Sequence, residues 1–279
     1  SGDASQEHLR HQRAKGRAHV TLARSPAGTI KPTRIFQSGS AKAMLPRVHM
    51  DRPEVVFLNT SGGVTGGDHL EYQLDIDRRA EATATMQTAE RAYRSTGSTG
   101  RVDTHISLGA GAVLDFLPQE MILFEQSRLR RSLTVDLAAD ASFLFCDLFV
   151  LGRAAMGERP QELWFEDTRH VRRDGRVIYH EALVLHPKAL SRREAPVLLA
   201  GANAFASIGL FSNDAADRGL LLSKAIEQAE QLGVRVGASG WNDKLVIRLA
   251  APDLYELKKT VALIVTQLRQ TALPRVWQI

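Results

Sequence analysis

The chain has 279 residues, enough for one large or two small domains at about 100–200 residues each, and at this length a core needs neither disulfide nor metal to hold it. Hydrophobic content of 44% and charged content of 24% exclude wholesale disorder, and the single cysteine, Cys146, excludes an internal disulfide or a thiolate zinc cage and suits a reducing, cytoplasmic setting. Thirty-six Lys plus Arg against 31 Asp plus Glu leave a net charge of +5, yet the composition speaks against nucleic acid and membrane as partners. The arginine clusters (Arg128, Arg130, Arg131; Arg169, Arg172, Arg173, Arg176; Arg192, Arg193) lack interleaved aromatics, which make up only 6% of the chain. They read as solvated faces or as docking patches for an acidic protein. No apolar run approaches the roughly 20 residues of a membrane helix.

Residues 1–14 are polar, lack the apolar core of a secretory signal and are expected to form a flexible tail ahead of a single domain over 15–279. From there, period-2 alternation dominates. Tyr72, Leu74 and Ile76 alternate with Glu71, Gln73, Asp75 and Asp77, the mark of a half-buried strand, and similar runs fall at 133–137, 143–151 and 163–165. Asp174-Gly175, between 169–171 and 177–179, supplies the two positive-φ positions of a tight hairpin.

A weak repeat runs through this region. Leu74-Asp75-Ile76, Ile106-Ser107-Leu108 and Val135-Asp136-Leu137 each lead through three turn residues to an alanine (Ala80, Ala112, Ala141) and a second strand. Units recurring roughly every 30 residues suggest stacked layers, a β-solenoid or double-layered sheet; a meander whose strands share turn chemistry is the other reading. After Pro196 the pattern changes. Residues 197–211 look strand-like, Leu221 to Leu232 recur at helical spacing before Gly233, residues 234–236 and 245–249 read as strands, and Pro252-Asp253 opens a helix to Leu268. The expected fold is therefore mainly β: a layered body to about residue 195, with an α+β section over 196–279, carrying two helices, packed on it.

Chemistry is hard to find by motif. The segment Asn59-Thr60-Ser61-Gly62-Gly63-Val64-Thr65-Gly66-Gly67-Asp68 is glycine-rich, but Asp68-His69 stands where a phosphate loop requires Lys and Ser or Thr. It serves equally as a tight corner of a sheet. No His-Glu-x-x-His pair, no His-x-His and no Gly-x-Ser-x-Gly elbow occur.

Taken in order, several segments resemble the UreD/UreH family of urease accessory proteins. They are the glycine-rich stretch 59–68 with Gly62, Gly63, Gly66 and Gly67, then Thr88-Ala89-Glu90-Arg91-Ala92-Tyr93-Arg94-Ser95, and Leu117-Pro118-Gln119-Glu120-Met121-Ile122-Leu123-Phe124. Leu151-Gly152-Arg153 with Gly157-Glu158 follows, then Arg173-Asp174-Gly175 leading into His180-Glu181, and finally Leu273-Pro274-Arg275-Val276-Trp277. Two places depart from the family pattern: Met44-Leu45-Pro46-Arg47 where an aromatic-Pro-Arg is common, and Val150 where a cysteine is frequent.

The resemblance implies a layered β fold with two helices and a non-enzymatic assembly factor. Such a factor docks on the urease apoprotein with UreF and UreG and conducts nickel(II), as a transferred ion rather than a tightly bound cofactor, toward the urease active site. A conduit must release its ion, which suits carboxylates, hydroxyls and water better than a thiolate cage. On that view the candidate nickel ligands are Asp68, aimed by the glycines before it; Glu181, in the alternating run 177–185; and Asp147, on the face of Phe143, Phe145 and Phe149. Asp68 also reads as a strand-start cap, Glu181 as a solvent-facing acid, and Asp147 as the buried partner of an arginine such as Arg153. Thr88 and Ser95 either line a channel or cap turns, while Arg94, Glu120, Arg153 and Glu158 are motif residues with architectural roles open to them. Outside the family, a β-solenoid enzyme or binding protein for an acidic polysaccharide would use the arginines for substrate.

Overall fold

The computed structural model describes residues 13–46, 52–153, 157–269 and 271–277; the expected tail lies outside them up to residue 12, as does Arg47. In chain order the strands are β1 (Lys15–Arg24), β2 (Ile30–Gly39), β3 (Ala41–Met44), β4 (Glu54–Asn59), β5 (His69–Ile76), β6 (Glu81–Met86), β7 (Glu90–Ala92), β8 (Gly100–Leu108) and β9 (Val113–Leu117). Then come β10 (Met121–Leu123), β11 (Arg128–Leu137), β12 (Ser142–Leu151), β13 (Trp164–Arg173), β14 (Arg176–Leu185), β15 (Ala204–Phe211), β16 (Arg235–Trp241) and β17 (Lys244–Ala251). The helices are α1 (Pro187–Leu190), α2 (Ala215–Leu220), α3 (Ser223–Gln231) and α4 (Leu254–Arg269).

The strands form two sheets, ordered β14-β13-β11-β8-β5-β1-β2 and β16-β17-β15-β12-β9-β6-β4-β3. The short β10 joins β12 to β7 in parallel beside the second. The repeat read from the sequence is the device that builds both sheets. Leu74, Ile106 and Val135 align in adjacent parallel strands of the first, and Ala82, Leu114 and Phe143 align in the second. At each corner the chain passes from one sheet to the other through a buried alanine, Ala80, Ala112 or Ala141. Val113 N–H donates to Ala80 O at 3.0 Å and Ser142 N–H to Ala112 O at 2.9 Å, so the corners stack one rung on the next. Rungs about 4.8 Å apart leave room there for a methyl group and little more. This is the layered, β-solenoid-like arrangement that the spacing suggests.

In the first sheet β5 alternates cleanly: Leu70, Tyr72, Leu74 and Ile76 face the core and Glu71, Gln73 and Asp75 face outward. β12 differs from its half-buried expectation because it is covered on both sides. Phe143, Phe145 and Phe149 pack between the sheets, whereas Leu144, Cys146, Leu148 and Val150 pack under the helices. Residues 163–165 and 169–171 belong to one continuous strand, β13, and the strand-like run 197–211 is a strand only from Ala204, its first part being turns. The Asp174-Gly175 hairpin forms as expected, with φ of 48° and 76° and Arg173 opposite Arg176. β15 pairs antiparallel with β12, so residues 204–251 extend the second sheet, and α4 lies across β12, β15 and β17.

Candidate functional site

Period 2 also carries charge inward. On β13, Phe165, Asp167, Arg169 and Val171 share the core-facing side; Asp147 does so on β12 and Tyr179 and Glu181 on β14. The Arg131 guanidinium donates from both terminal nitrogens to Asp147 Oδ1 and Oδ2, at 3.0 and 2.6 Å, and from Nε to Asp167 Oδ1 at 3.1 Å. Arg169 donates to Asp147, Asp167 and Glu181. Glu181 further accepts Arg248 Nε–H at 2.9 Å and the Tyr179 hydroxyl at 2.8 Å. Aromatic faces support the cations: Arg131 lies 5.1 Å above the Phe165 ring and Arg169 5.7 Å above that of Phe145.

Three carboxylates thus meet three guanidiniums. Burial pushes the Asp147 carboxyl up, but Arg131 and Arg169 outweigh it and hold it below the usual carboxylate range. Glu181 follows the same logic: burial raises it, and Arg169 with the bonds from Tyr179 and Arg248 brings it below its ordinary value. Burial and the neighbouring Glu181 push the Tyr179 phenol well up, keeping it a neutral donor.

The cluster occupies the middle of a row of three cavities. An inner one of about 70 Å³ is lined by Tyr72, Glu90, Arg131, Asp147, Asp167 and Arg169 among others. Toward the glycine-rich loop a cavity of about 20 Å³, lined by Asn59, Gly62 and Thr88, shares Met86 and Glu90 with it. Toward the open edge, between β14 and the β16–β17 pair, lies a groove of about 720 Å³, lined by Phe149, His180, Glu181, Val236 and Arg248, which shares Arg169. Glu90, at the narrow junction, is raised in pKa by burial, against N–H bonds from Arg91 at 3.1 Å and Asn59 at 3.2 Å.

Of the acids expected on an ion path, Asp147 and Glu181 are brought together, joined by Arg169. Asp147 does not pair with Arg153, whose guanidinium lies 5.0 Å over the Phe124 ring. Asp68 stands apart. Its oxygens accept the N–H groups of Ala14 and Thr65, each at 2.8 Å, so its carboxylate closes the loop onto the start of β1 and lines none of these three cavities.

Two glycines of the loop, Gly63 and Gly66, are packed too closely for a side chain, whereas Gly62 faces open space. A Cβ on Gly63 would lie 2.8 Å from Arg91 O, and one on Gly66 2.3 Å from Ser98 O. Thr88 lines the small cavity. Ser95 caps a turn by donating to Ser98 O, and the carbonyl of Arg94 accepts the Thr65 hydroxyl at 2.8 Å. Glu120 pairs with Lys258 at 2.7 Å, and Glu158 accepts the N–H of Glu125 at 3.2 Å.

Arg131, Asp167 and Arg169 escape a motif search, and Glu90 lies inside the 88–95 segment with no role of its own legible there. The arginines read as surface in runs of like charge, yet the alternation Phe165-x-Asp167-x-Arg169-x-Val171 places Arg169 on an apolar face. Among the described residues no three His, Cys, Asp or Glu side chains converge to hold a metal, and Asp147, Asp167 and Glu181 are already bonded by guanidinium.

Fold and site together define a two-sheet, β-solenoid-like protein with a charge-balanced interior. The family described as UreD urease accessory protein matches residues 14–278. Three bacterial proteins named urease accessory protein UreD are similar over nearly their whole lengths. That of Dinoroseobacter shibae is 48% identical over 97% of this chain and 94% of its own. Those of Paracoccus denitrificans (45%; 97% and 94%) and a Jannaschia species (46%; 96% and 97%) are comparable. The chain belongs to the UreD family of urease accessory proteins.

Proposed function

We propose that the protein serves urease maturation in the cytoplasm as a non-catalytic assembly factor. With UreF and, through it, UreG, it docks on the urease apoprotein and passes nickel(II) along the row of cavities between its sheets. The observation that carries this reading is the sharing of lining residues: Glu90 and Met86 at one junction and Arg169 at the other. Carboxylates already compensated by guanidiniums attract a divalent ion only weakly, and each step requires an arginine to yield its partner, so the ion is released as readily as it is taken. Arg169, common to the inner cavity and the groove, is the side chain that must turn aside. Asp68 is assigned to the loop rather than the path.

Coexpressed with UreF, UreG and urease at limiting nickel, Glu181→Gln is expected to lower the nickel content of urease several-fold while the accessory complex still copurifies. Nickel content equal to that of the parent would remove Glu181 from the path. Failure of the parent to retain UreF and UreG would remove the docking role.

A further inference from the structure

The outer face of the first sheet carries a row of residues of which only His180 borders the groove of the ion path. His19, Gln73, His105, Thr134, His170 and His180 stand opposite one another across β1, β5, β8, β11, β13 and β14. Adjacent strands lie about 4.8 Å apart, so only imidazoles on neighbouring strands can share an ion. His105 is separated from His170 by Thr134, and His19 is bonded to Asp75 at 2.6 Å. His170 and His180 are direct cross-strand partners with ring centroids 4.3 Å apart and planes inclined by 38°.

The pair lies on the opposite side of the same two strands from Arg169 and Glu181. His180 is exposed and His170 half-buried, and among the described residues no carboxylate pairs with either ring. The Asp174-Gly175 turn joins the two strands, with one bulge at Val171/Arg172 between the turn and the pair. Arg172, the cation next along that face, is paired with Asp136 at 2.9 Å. Two imidazole nitrogens bound to one ion at about 2.0–2.1 Å lie roughly 3 Å from each other, a separation that rings already in contact reach by side-chain rotation alone. Imidazole donors select nickel, copper and zinc over magnesium and calcium.

We infer that His170 and His180 form a surface site for a divalent transition-metal ion, the two rings supplying two ligands and exchangeable water the rest. The site lies across β13 and β14 from Arg169 and Glu181, and His180 also stands on the lining of the groove at the mouth of the path. Copper(II) titrated into the full chain, read by calorimetry and by electron paramagnetic resonance, tests it. The parent is expected to show a two-nitrogen signal. His170→Ala and His180→Ala are each expected to weaken binding roughly tenfold or more and to abolish that signal, while His105→Ala and Glu181→Gln change neither. His180→Gln, which keeps a polar side chain of similar size, should behave as His180→Ala and separates loss of a ligand from misfolding. Absence of copper uptake by the parent, unchanged affinity in both histidine variants, or equal loss in His105→Ala would overturn the site.

Discussion

Asp147 carries a charge among phenylalanines, and its stability rests on two guanidiniums. Removing one member of a buried ion cluster leaves its partners uncompensated at a cost of about 3–5 kcal/mol. Asp147→Asn, close to isosteric, is therefore expected to lower stability by about that much in urea unfolding at neutral pH. The pH dependence has a definite sign. The folded-state values of Asp147 and Glu181 lie below their ordinary ones, so their contribution is complete above the ordinary carboxylate range, about pH 4, and is lost as pH falls through the lowered values. The variant should show a shallower acid limb. At this scale the inward direction of Asp147 is legible from its place among Phe143, Phe145 and Phe149. Its partners are not, because Arg131 and Arg169 reach it from strands of the opposite sheet.

Strand-turn-strand units with an alanine at the corner form the elements of the body. Spacing suggests them and the structure decides for them against a meander: each corner is small where rungs stack through Val113 N–H to Ala80 O and Ser142 N–H to Ala112 O. Ala112→Leu adds three carbons to a site with no exposure, and overpacking of this kind typically costs about 1–3 kcal/mol. A lowered denaturation midpoint with unchanged urea m-value would report it; a neutral result would mean that the corner has slack. Residues 197–203 mislead a pattern reader because Val197, Leu198 and Leu199 are apolar enough for a strand, yet the chain there turns through positive φ at Ala200 and Gly201. Only the fold requires that turn, to bring β15 back antiparallel to β12.

Across the whole molecule, the C-terminal segment closes the second sheet. Trp277 is buried and donates Nε1–H to Leu117 O at 2.9 Å, Gln119 donates to Val276 O at 3.0 Å, and Lys258 of α4 reaches both Gln119 and Glu120 at 2.7 Å. The Leu-Pro-Gln-Glu motif is thus the clamp that ties α4 and the last turn to β9 and β10. Trp277→Ala is expected to cost about 3–5 kcal/mol, measurable by chemical unfolding, with release of α4 seen as faster amide exchange in residues 254–269. The sequence by itself determined the strand periods, the hairpin turn and the final helices, because each depends on neighbours within a few residues, and its repeat of roughly 30 residues suggested stacked corners without excluding a meander. It also placed Asp147 on the face of the phenylalanines, and left Glu181 open between an inward and a solvent-facing position. Only the tertiary structure decided that Asp68 closes a loop, that Arg131 and Arg169 lie inside, and that Glu90 joins two cavities. Those outcomes depend on which distant strands are laid side by side, and a burial cost met by a partner dozens of residues away leaves no local mark.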